Sequence, residues 1–521
     1  MRYLVTAEEM KRYDANSINQ LGVPGMVLME RAALSAREVV LDRLGVAKAG
    51  SSFIKSVDDA AAVRVLIMAG VGNNGGDGLA LGRLLGELGC QVEIWLVGDK
   101  AKASDQWRSQ WKILQAYDIM CSDTPAFTEY TILVDALFGV GLSREVGGLY
   151  REAVERFNQL QGYKLALDVP SGIDSDTGTV LGCAVRADET VTFGFCKRGL
   201  VLYPGCEYAG KVVVGEIGIN ERSFLGEPPG MFCLDSLTEW LPARDPYGNK
   251  STFGKVLLVA GSDKMAGAAV LAARAAYRSG AGMVKVVTDA SNREILQGAV
   301  PEALFGVYAD LADSLSWADV IVIGSGLGQE KGARKCLAQV LTDSNCPLVI
   351  DADGLNLLAA DDRLWELVVT RTSAHGRQVT RQVVLTPHVG ELSRLTGVDI
   401  PKLKKNLAFH GLELSRRLGA IVVAKDARTF VCCQGKPVCV NLWGNSGMAT
   451  AGSGDVLAGI LGGLLAQSQT CQESAFETVC LGVGVHAQAG DMAAREKGEH
   501  GCMAGDIAEA VAAVLRNKKR I

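Results

Sequence analysis

What most limits the folds open to this chain is a repeated alternation of short apolar runs with helical periodicity, beginning at Val63. Val63–Ala69 reads as a buried strand. Further strands are expected at Val92–Val97, Thr131–Asp135, Lys164–Asp168, Glu189–Phe195 and Val212–Ile219, with helices between most of them. Strands that are apolar on both faces and alternate with helices build parallel sheets covered on either side. A second series opens with Gly254–Ser262 and runs through Met283–Thr288, Val320–Gly324, Leu348–Asp351, Val383–Thr386 and Ile421–Ala424. Within it Ala266–Ser279 reads as a helix and Phe430–Val440 as a hairpin, with more helices from Asp455, Ala475 and Met503. Between the two series the periodicity fails. Prolines and glycines cluster at Gly226-Glu227-Pro228-Pro229-Gly230 and Leu241-Pro242-Ala243-Arg244-Asp245-Pro246. The expected fold class is therefore α/β, with two doubly wound domains over 1–222 and 251–521 and a joint over 223–250. Two helices precede the first strand. A capping box, Thr6-Ala7-Glu8-Glu9, opens one, and Met26–Leu41 follows Pro24-Gly25 as the other. The motifs of the first half do not recur in the second, which favours two functions over a duplication.

At 521 residues the chain exceeds one ordinary core. A net charge of -5 offers no basic surface, so no nucleic acid is expected as a partner. The 14 cysteines form no C-x-x-C pair and the five histidines stand apart, so no zinc pattern emerges. Reduced, mostly buried thiols in a cytoplasmic protein are the expectation. No apolar run reaches the roughly 18–20 residues of a membrane span, so no membrane is expected either.

In doubly wound sheets ligands bind beyond the carboxyl ends of the strands, and the polar clusters fall there. In the first half these are Asn73-Asn74-Gly75-Gly76-Asp77-Gly78, Val134-Asp135-Ala136-Leu137-Phe138-Gly139-Val140-Gly141-Leu142 and Leu167-Asp168-Val169-Pro170-Ser171-Gly172-Ile173-Asp174. The first reads as a loop whose glycines let amides close on a pyrophosphate, with a helix from Leu79 to Leu88 behind it. One such Asp more often serves a turn or a cap. Three polar strand ends on one sheet edge point instead to a ligand site. Asn74, Asp135 and Ser171 all offer oxygen, a plausible nest for a hard cation.

Together with Phe193–Gly205, these clusters make the stretch from Thr6 to Asn220 resemble the N-terminal domain of the NAD(P)H-hydrate epimerases. The resemblance implies a Rossmann-like sheet that interconverts the R and S forms of hydrated NADH and NADPH (NADHX and NADPHX). By the match, Asn73, Asn74, Gly75, Gly76 and Asp77 contact the dinucleotide, as do Gly139, Val140, Gly141, Leu142, Ser143, Arg144 and Glu145. Asp168 is the acid/base candidate, and Asn74, Asp135 and Ser171 hold a potassium ion (K+).

The second half closes on Asn445-Ser446-Gly447-Met448-Ala449-Thr450-Ala451-Gly452-Ser453-Gly454-Asp455, small residues running into an apolar helix. A glycine loop at a helix N-terminus suits a phosphate. Asp455 either caps the helix or takes a proton from a hydroxyl about to be phosphorylated. Other loops follow strands at Gly324-Ser325-Gly326, Asp351-Ala352-Asp353-Gly354-Leu355-Asn356, Thr386-Pro387-His388-Val389-Gly390-Glu391-Leu392 and Lys425-Asp426-Ala427-Arg428-Thr429. His388 reads as a structural histidine or a ligand contact, and Lys425 as a solvated turn lysine or a phosphate clamp.

From about Tyr247 to Ala513 these segments are similar to the ADP- or ATP-dependent NAD(P)H-hydrate dehydratases, whose fold is ribokinase-like. Members often carry His before the Lys-Gly segment, where this chain has Asn249-Lys250-Ser251. The resemblance implies that Asp455 is the base and that Lys425, Asp426, Ala427, Arg428 and Thr429, with Asn445–Gly454, hold the nucleotide. Gly326, Thr386, Pro387, His388, Val389, Gly390, Glu391 and Leu392 would hold the hydrate, and Mg2+ would travel with the nucleotide. The order of the halves resembles prokaryotic members that use ADP. A homo-oligomer is expected. The basic stretch 371–382 reads as an exposed loop without assigned function. Two alternatives stay open, a ribokinase-like small-molecule kinase fused to a dinucleotide sensor and a purely binding role for the first half.

Overall fold

Val65, Ile67 and Ala69 face one side of their strand and Leu66 and Met68 the other, and all five are fully buried. Only a strand covered on both faces does this. A computed structural model describes residues 1–45, 62–238, 240–241, 244–373, 382–471 and 474–516. The chain forms two compact units that divide between Gly230 and Met231, inside the expected joint.

The first unit contains β1 (Arg2–Val5), β2 (Arg64–Ala69), β3 (Gln91–Leu96), β4 (Met120–Ser122), β5 (Glu129–Ala136), β6 (Gln161–Leu167), β7 (Glu189–Phe193), β8 (Cys196–Lys197) and β9 (Lys211–Gly215). Seven of them form one sheet in the order β4-β3-β2-β5-β6-β7-β9. Neighbours are parallel, with Ile67 beside both Ile94 and Val134 and one register shift in β5–β6 between Glu129 and Ile132. After β2 the chain builds outward to β4, then crosses back to β5 on the other side of β2. The loops after β2 and β5 therefore diverge at a switch point, where a crevice opens. Helices Gly25–Arg43, Asn73–Glu87 and Asp105–Leu114 bury Ala33, Leu79 and Trp107 on one face, and helix Leu149–Gln159 buries Val154 and Phe157 on the other. β1 and β8 pair as a short parallel ladder. Residues 223–224 of the expected joint are buried within this unit, where the Phe224 ring packs on Tyr13 at 4.8 Å.

The second unit comprises β10 (Met231–Cys233), β11 (Lys255–Val259), β12 (Met283–Thr288), β13 (Leu304–Val307), β14 (Val320–Ile323), β15 (Leu348–Ile350), β16 (Val383–Leu385), β17 (Ile421–Ala424), β18 (Thr429–Cys432) and β19 (Val438–Asn441). Their order is β13-β12-β11-β14-β15-β16-β17-β18-β19-β10. The ladder is parallel up to β17; β17–β18 and β18–β19 are antiparallel, the latter being the expected hairpin, and β10 pairs parallel with β19. Again the chain reverses direction, between β11 and β14. Helix Ser453–Cys471 crosses helix Ala266–Arg278 through small residues, with Gly459 against Ala272 and Gly463 against Ala276.

The expected fold class, two doubly wound α/β domains, is the one observed. Three local expectations change. The helix expected from Leu79 begins at Asn73, so the Asn-Asn-Gly-Gly-Asp cluster is its first turns. The strand Met120–Ser122 and the helix Asp105–Leu114 carry too short or too polar a pattern to stand out in the sequence. Of the expected exposed loop over 371–382, residues 374–381 lie outside the described residues, as do Pro242 and Ala243 of the joint. Arg371 itself is buried at the end of helix Asp362–Ser373, donating to the carbonyls of Ser344 (2.7 Å) and Leu341 (3.3 Å). No described helix is long and apolar enough to cross a membrane.

Candidate functional site

At the carboxyl edge of the first sheet lies a cleft of about 750 Å3. Asn73, Asn74, Asp77, Asp168 and the run Gly139–Arg144 line it, so most of the expected contacts converge. Gly75 and Gly76 do not face it. A Cβ on Gly75 would sit 1.9 Å from the Gly70 carbonyl oxygen and one on Gly76 2.7 Å from Met29 Cε, so these glycines seat the helix. Glu145 is exposed and outside the lining.

Asp168 follows β6 with a positive φ of 66°, a conformation an Asp tolerates better than most residues. This turns its carboxylate into the cleft, where Oδ1 lies 2.6 Å from Lys197 Nζ. Lys197 also donates to the Phe193 carbonyl at 2.7 Å and is 1% exposed. The Val140 amide approaches Asp168 Oδ2 at 3.4 Å. Sequence reasoning missed Lys197. Its signal was a lone lysine inside the apolar segment Phe193–Leu202.

Behind the cleft Asp135 is fully buried. It accepts from the Ser171 amide (2.7 Å), the Ser171 hydroxyl (2.6 Å) and the Leu137 amide (3.2 Å). Burial pushes its carboxyl up to about 6, against the pull of these three donors. Asn74 donates through Nδ2 to the carbonyls of Phe138 (2.8 Å) and Leu167 (3.1 Å). Its Oδ1 is buried with no hydrogen-bond partner. An orphaned buried acceptor and a buried carboxylate with remaining lone pairs are donors of the kind an oxygen-ligated cation takes.

In the second unit the loops after β14, β15, β16 and β17 meet the N-terminus of helix Ser453–Cys471. Lys425 Nζ donates to Asp351 Oδ1 at 3.0 Å, and the Thr386 hydroxyl donates to the same oxygen at 2.6 Å. A Cβ added at Gly454 would lie 3.4 Å from Lys425 Nζ and 3.6 Å from Asp351 Oδ2, so the glycine loop, the lysine and the acid adjoin. Burial works against the Lys425 charge, but Asp351 and Glu391 outweigh it and hold its pKa raised. Asp455 stands in the first turn of the helix. Burial and the nearby Asp351 push its carboxyl up to about 6, opposed by the Ser325 hydroxyl and Lys425.

His388 is the N-cap of helix Val389–Thr396. Its Nδ1 accepts from the Gly390 amide at 2.9 Å while Glu391 Oε2 accepts from the His388 amide at 2.9 Å. Glu391 is buried and raised to about 7 by that burial, against Lys425. Pro387 accepts from the Lys425 amide, a bridge that joins the two loops. Leu392 is fully buried core and Val389 and Gly390 form the helix's first turn. Gly326, at φ 61°, packs on Met265 and Ala268.

The 445–454 loop is anchored from behind. Asp491 accepts from the Gly444 amide (3.0 Å) and from Asn445 Nδ2 (2.9 Å), and Glu499 accepts from the Ser446 hydroxyl. Met448 packs on Gly490. Arg428 donates to the Leu442 carbonyl at 2.9 Å, while Asp426 and Ala427 are exposed. His486 Nε2 lies 3.2 Å from the Ser453 hydroxyl and is pushed down to about 4 by burial and Lys425. Asp491, Glu499 and His486 all lie in or just after one long helix and gave no sequence signal of their own.

A family described as NAD(P)H-hydrate dehydratase matches residues 256–512, and one described as YjeF-related protein N-terminus matches residues 25–199. The chain is 33% identical to the bifunctional NAD(P)H-hydrate repair enzyme Nnr of Moorella thermoacetica, over 99% of this chain and 97% of that protein. It is 37% identical to the enzyme of the same name from Coxiella burnetii, over 86% of this chain and 89% of the relative. Against that of Escherichia coli the identity is 30%, over 96% and 92%.

Proposed function

The chain belongs to the bifunctional NAD(P)H-hydrate repair enzymes, and from that membership we propose a division of labour between its two sites. It is an enzyme of metabolite repair with epimerase and dehydratase activities. We assign epimerisation of R- and S-NAD(P)HX to 1–222 and dehydration of the S form at the expense of ADP, giving AMP and phosphate, to 251–521.

The observation that carries the second assignment is the meeting of Asp455, Lys425 and Gly454 at one helix N-terminus. Hydroxide leaves poorly from the hydrated nicotinamide ring, and phosphorylation converts it into a good leaving group. Asp455 takes the hydroxyl proton, while the Gly452–Gly454 amides and Lys425 stabilise charge on the phosphoryl group in transfer. Phosphate then departs as the ring nitrogen pushes electrons in. The nucleotide arrives as its Mg2+ complex and lies along 425–429 and 445–454. The hydrate lies against Gly326 and the 386–392 turn, where His388 Nδ1 serves the helix cap and Nε2 lies 3.4 Å from Glu391 Oε1.

In the first site Asp168 is the base, its anion held by Lys197. Asn73, Asp77 and the Gly139–Arg144 run receive the dinucleotide. Asn74 Oδ1, Asp135 and Ser171 are the ligands proposed for potassium, whose charge would favour the Asp135 anion. The orphaned Asn74 oxygen supports this set.

The test uses the purified chain with ADP and the S hydrate. Absorbance of reduced nicotinamide should return, and ATP in place of ADP should be the poorer donor. Asp455→Asn should slow this reaction about 10²–10⁴-fold and leave R-to-S conversion intact. No recovery of absorbance with either nucleotide would end the dehydratase assignment.

A further inference from the structure

Interconverting two hydrates at one carbon consumes no net proton, yet the bond that breaks needs one group to take a proton and another to give one. Resting on the epimerase reading above, we propose that Asp77 is the general acid of the epimerase cleft, acting on the ring nitrogen while Asp168 acts on the hydroxyl. Both side chains line the same cleft. Asp168 is committed to other partners, since Lys197 lies 2.6 Å from its Oδ1 and the Thr192 hydroxyl (3.4 Å) and Phe193 amide (3.5 Å) face the same oxygen. Lys197 is ill placed to act as the acid, because it also serves the Phe193 carbonyl at 2.7 Å and is 1% exposed. Asp77 is the complement. It projects from helix Asn73–Glu87 into a cleft whose buried lysine, Lys197, is already committed to another carboxylate.

The charged groups around the cleft come from four other elements. They are Lys11 and Asp14 on helix Ala7–Asn19, Asp168 after β6, Lys197 on β8 and Arg144 in the loop after β5. Burial, then Asp168 and Asp14, hold Asp77 well above the usual carboxylate range against the pull of Lys197. Asp14 is raised too, by burial against Lys197. A carboxyl raised by burial in the same cleft as one paired to a lysine is an arrangement that separates acid from base in one site.

The step balances within the substrate and these two groups. The hydroxyl sits on the carbon next to the ring nitrogen. Asp168 takes the hydroxyl proton, the carbon–nitrogen bond breaks, the oxygen becomes a carbonyl, and the nitrogen takes the Asp77 proton. The aldehyde turns about its single bond. The nitrogen re-adds to the opposite face and returns its proton to Asp77, while Asp168 returns its proton to the oxygen. No oxidant, reductant or nucleotide enters.

The experiment follows R-to-S conversion of the NADPH hydrate by chiral chromatography, using the full chain without ADP, across pH 5–10. The parent should lose rate on the alkaline side as Asp77 loses its proton. Asp77→Asn should lower kcat about 10²-fold with KM little changed, and its alkaline limb should vanish. Asp77→Glu, which keeps the acid, should recover part of the rate and the limb, and unchanged melting of both variants shows that the fold is kept. If Asp77→Asn changes only KM, or keeps the alkaline limb, the acid is another group and the proposal falls. A parent chain without any R-to-S conversion would overturn the epimerase reading itself, a result distinct from a slow Asp77→Asn.

Discussion

Asp455 keeps its proton up to about pH 6 because burial and the adjacent Asp351 both oppose its charge. A base must be deprotonated to act, so dehydration should fall as pH drops through 6, about tenfold per pH unit below it. A carboxyl at its ordinary value would hold the rate down to about pH 4. The check is kcat for the S hydrate from pH 4.5 to 8 with saturating ADP, and a flat profile across pH 5–7 would separate Asp455 from the proton transfer. Lys425→Ala tests the neighbouring charge. Removing it strips the cation from Asp351 and, on the proposed reading, from the nucleotide phosphate, so the KM for ADP should rise about tenfold or more, as measured by varying ADP at fixed hydrate. The acids at these strand ends are legible in the sequence, because a carboxylate after an apolar strand is out of place unless it has a task. Their partners are not. Lys425 and Asp351 are 74 residues apart and His486 and Ser453 are 33 apart, and spacing alone does not pair them. His388 shows a further limit. Its place between Pro387 and Val389 leaves cap and ligand contact as rivals, and the structure gives Nδ1 to the cap.

Glycines decide how closely the site-bearing elements approach. The stretch Asn73–Gly78 looks like a loop because glycine disfavours helix interiors by roughly 1 kcal/mol relative to Ala. The packing overrides that preference. A Cβ on Gly75 would meet the Gly70 carbonyl, one on Gly78 would lie 2.6 Å from Ala136 Cβ, and one on Gly82 2.8 Å from Ile94 Cδ1. The helix must lie this close to β2 and β5 for Asn74 to reach the carbonyls of Phe138 and Leu167, so tertiary contact outweighs propensity. The same logic governs helix Ser453–Cys471, which carries Asp455. A Cβ on Gly459 would sit 2.2 Å from the Ala272 carbonyl oxygen, a backbone atom that cannot rotate away. Gly459→Ala gains helix propensity but must push the helix off Ala266–Arg278, and overpacking of this kind costs about 1–3 kcal/mol. The net effect should be destabilisation of the second unit, with slower dehydration because Asp455 shifts relative to Lys425, and unchanged epimerisation. Differential scanning calorimetry and the two assays measure this. A variant as stable and as active as its parent would mean that the helices do not meet as closely as the small residues imply.

Each unit has its own doubly wound sheet, its own switch point and its own cluster of titratable groups, which is the basis for proposing one chemistry for each. The alternation of strands and helices made this architecture readable from the sequence. The joint was harder to place, because 223–224 look like linker beside the proline cluster and are held in the first core by aromatic packing on Tyr13. If the two sites belong to two units, ligands should stabilise them separately. A ligand that binds only folded protein adds RT ln(1 + [L]/Kd), about 2.7 kcal/mol at a hundredfold excess over Kd. In a unit of this size that raises the melting midpoint by roughly 5–10 °C. With ADP and Mg2+ the transition of the second unit should move by this amount and that of the first should stay. Potassium in place of sodium should move the first and leave the second. Asn74→Ala removes the orphaned oxygen and should abolish the potassium shift without touching the ADP shift. Calorimetry of the full chain resolves the pair, since a chain of two such units need not unfold in one step. If ADP moved both transitions equally, or potassium moved the transition that ADP moves, the assignment of one ligand to each unit would be wrong.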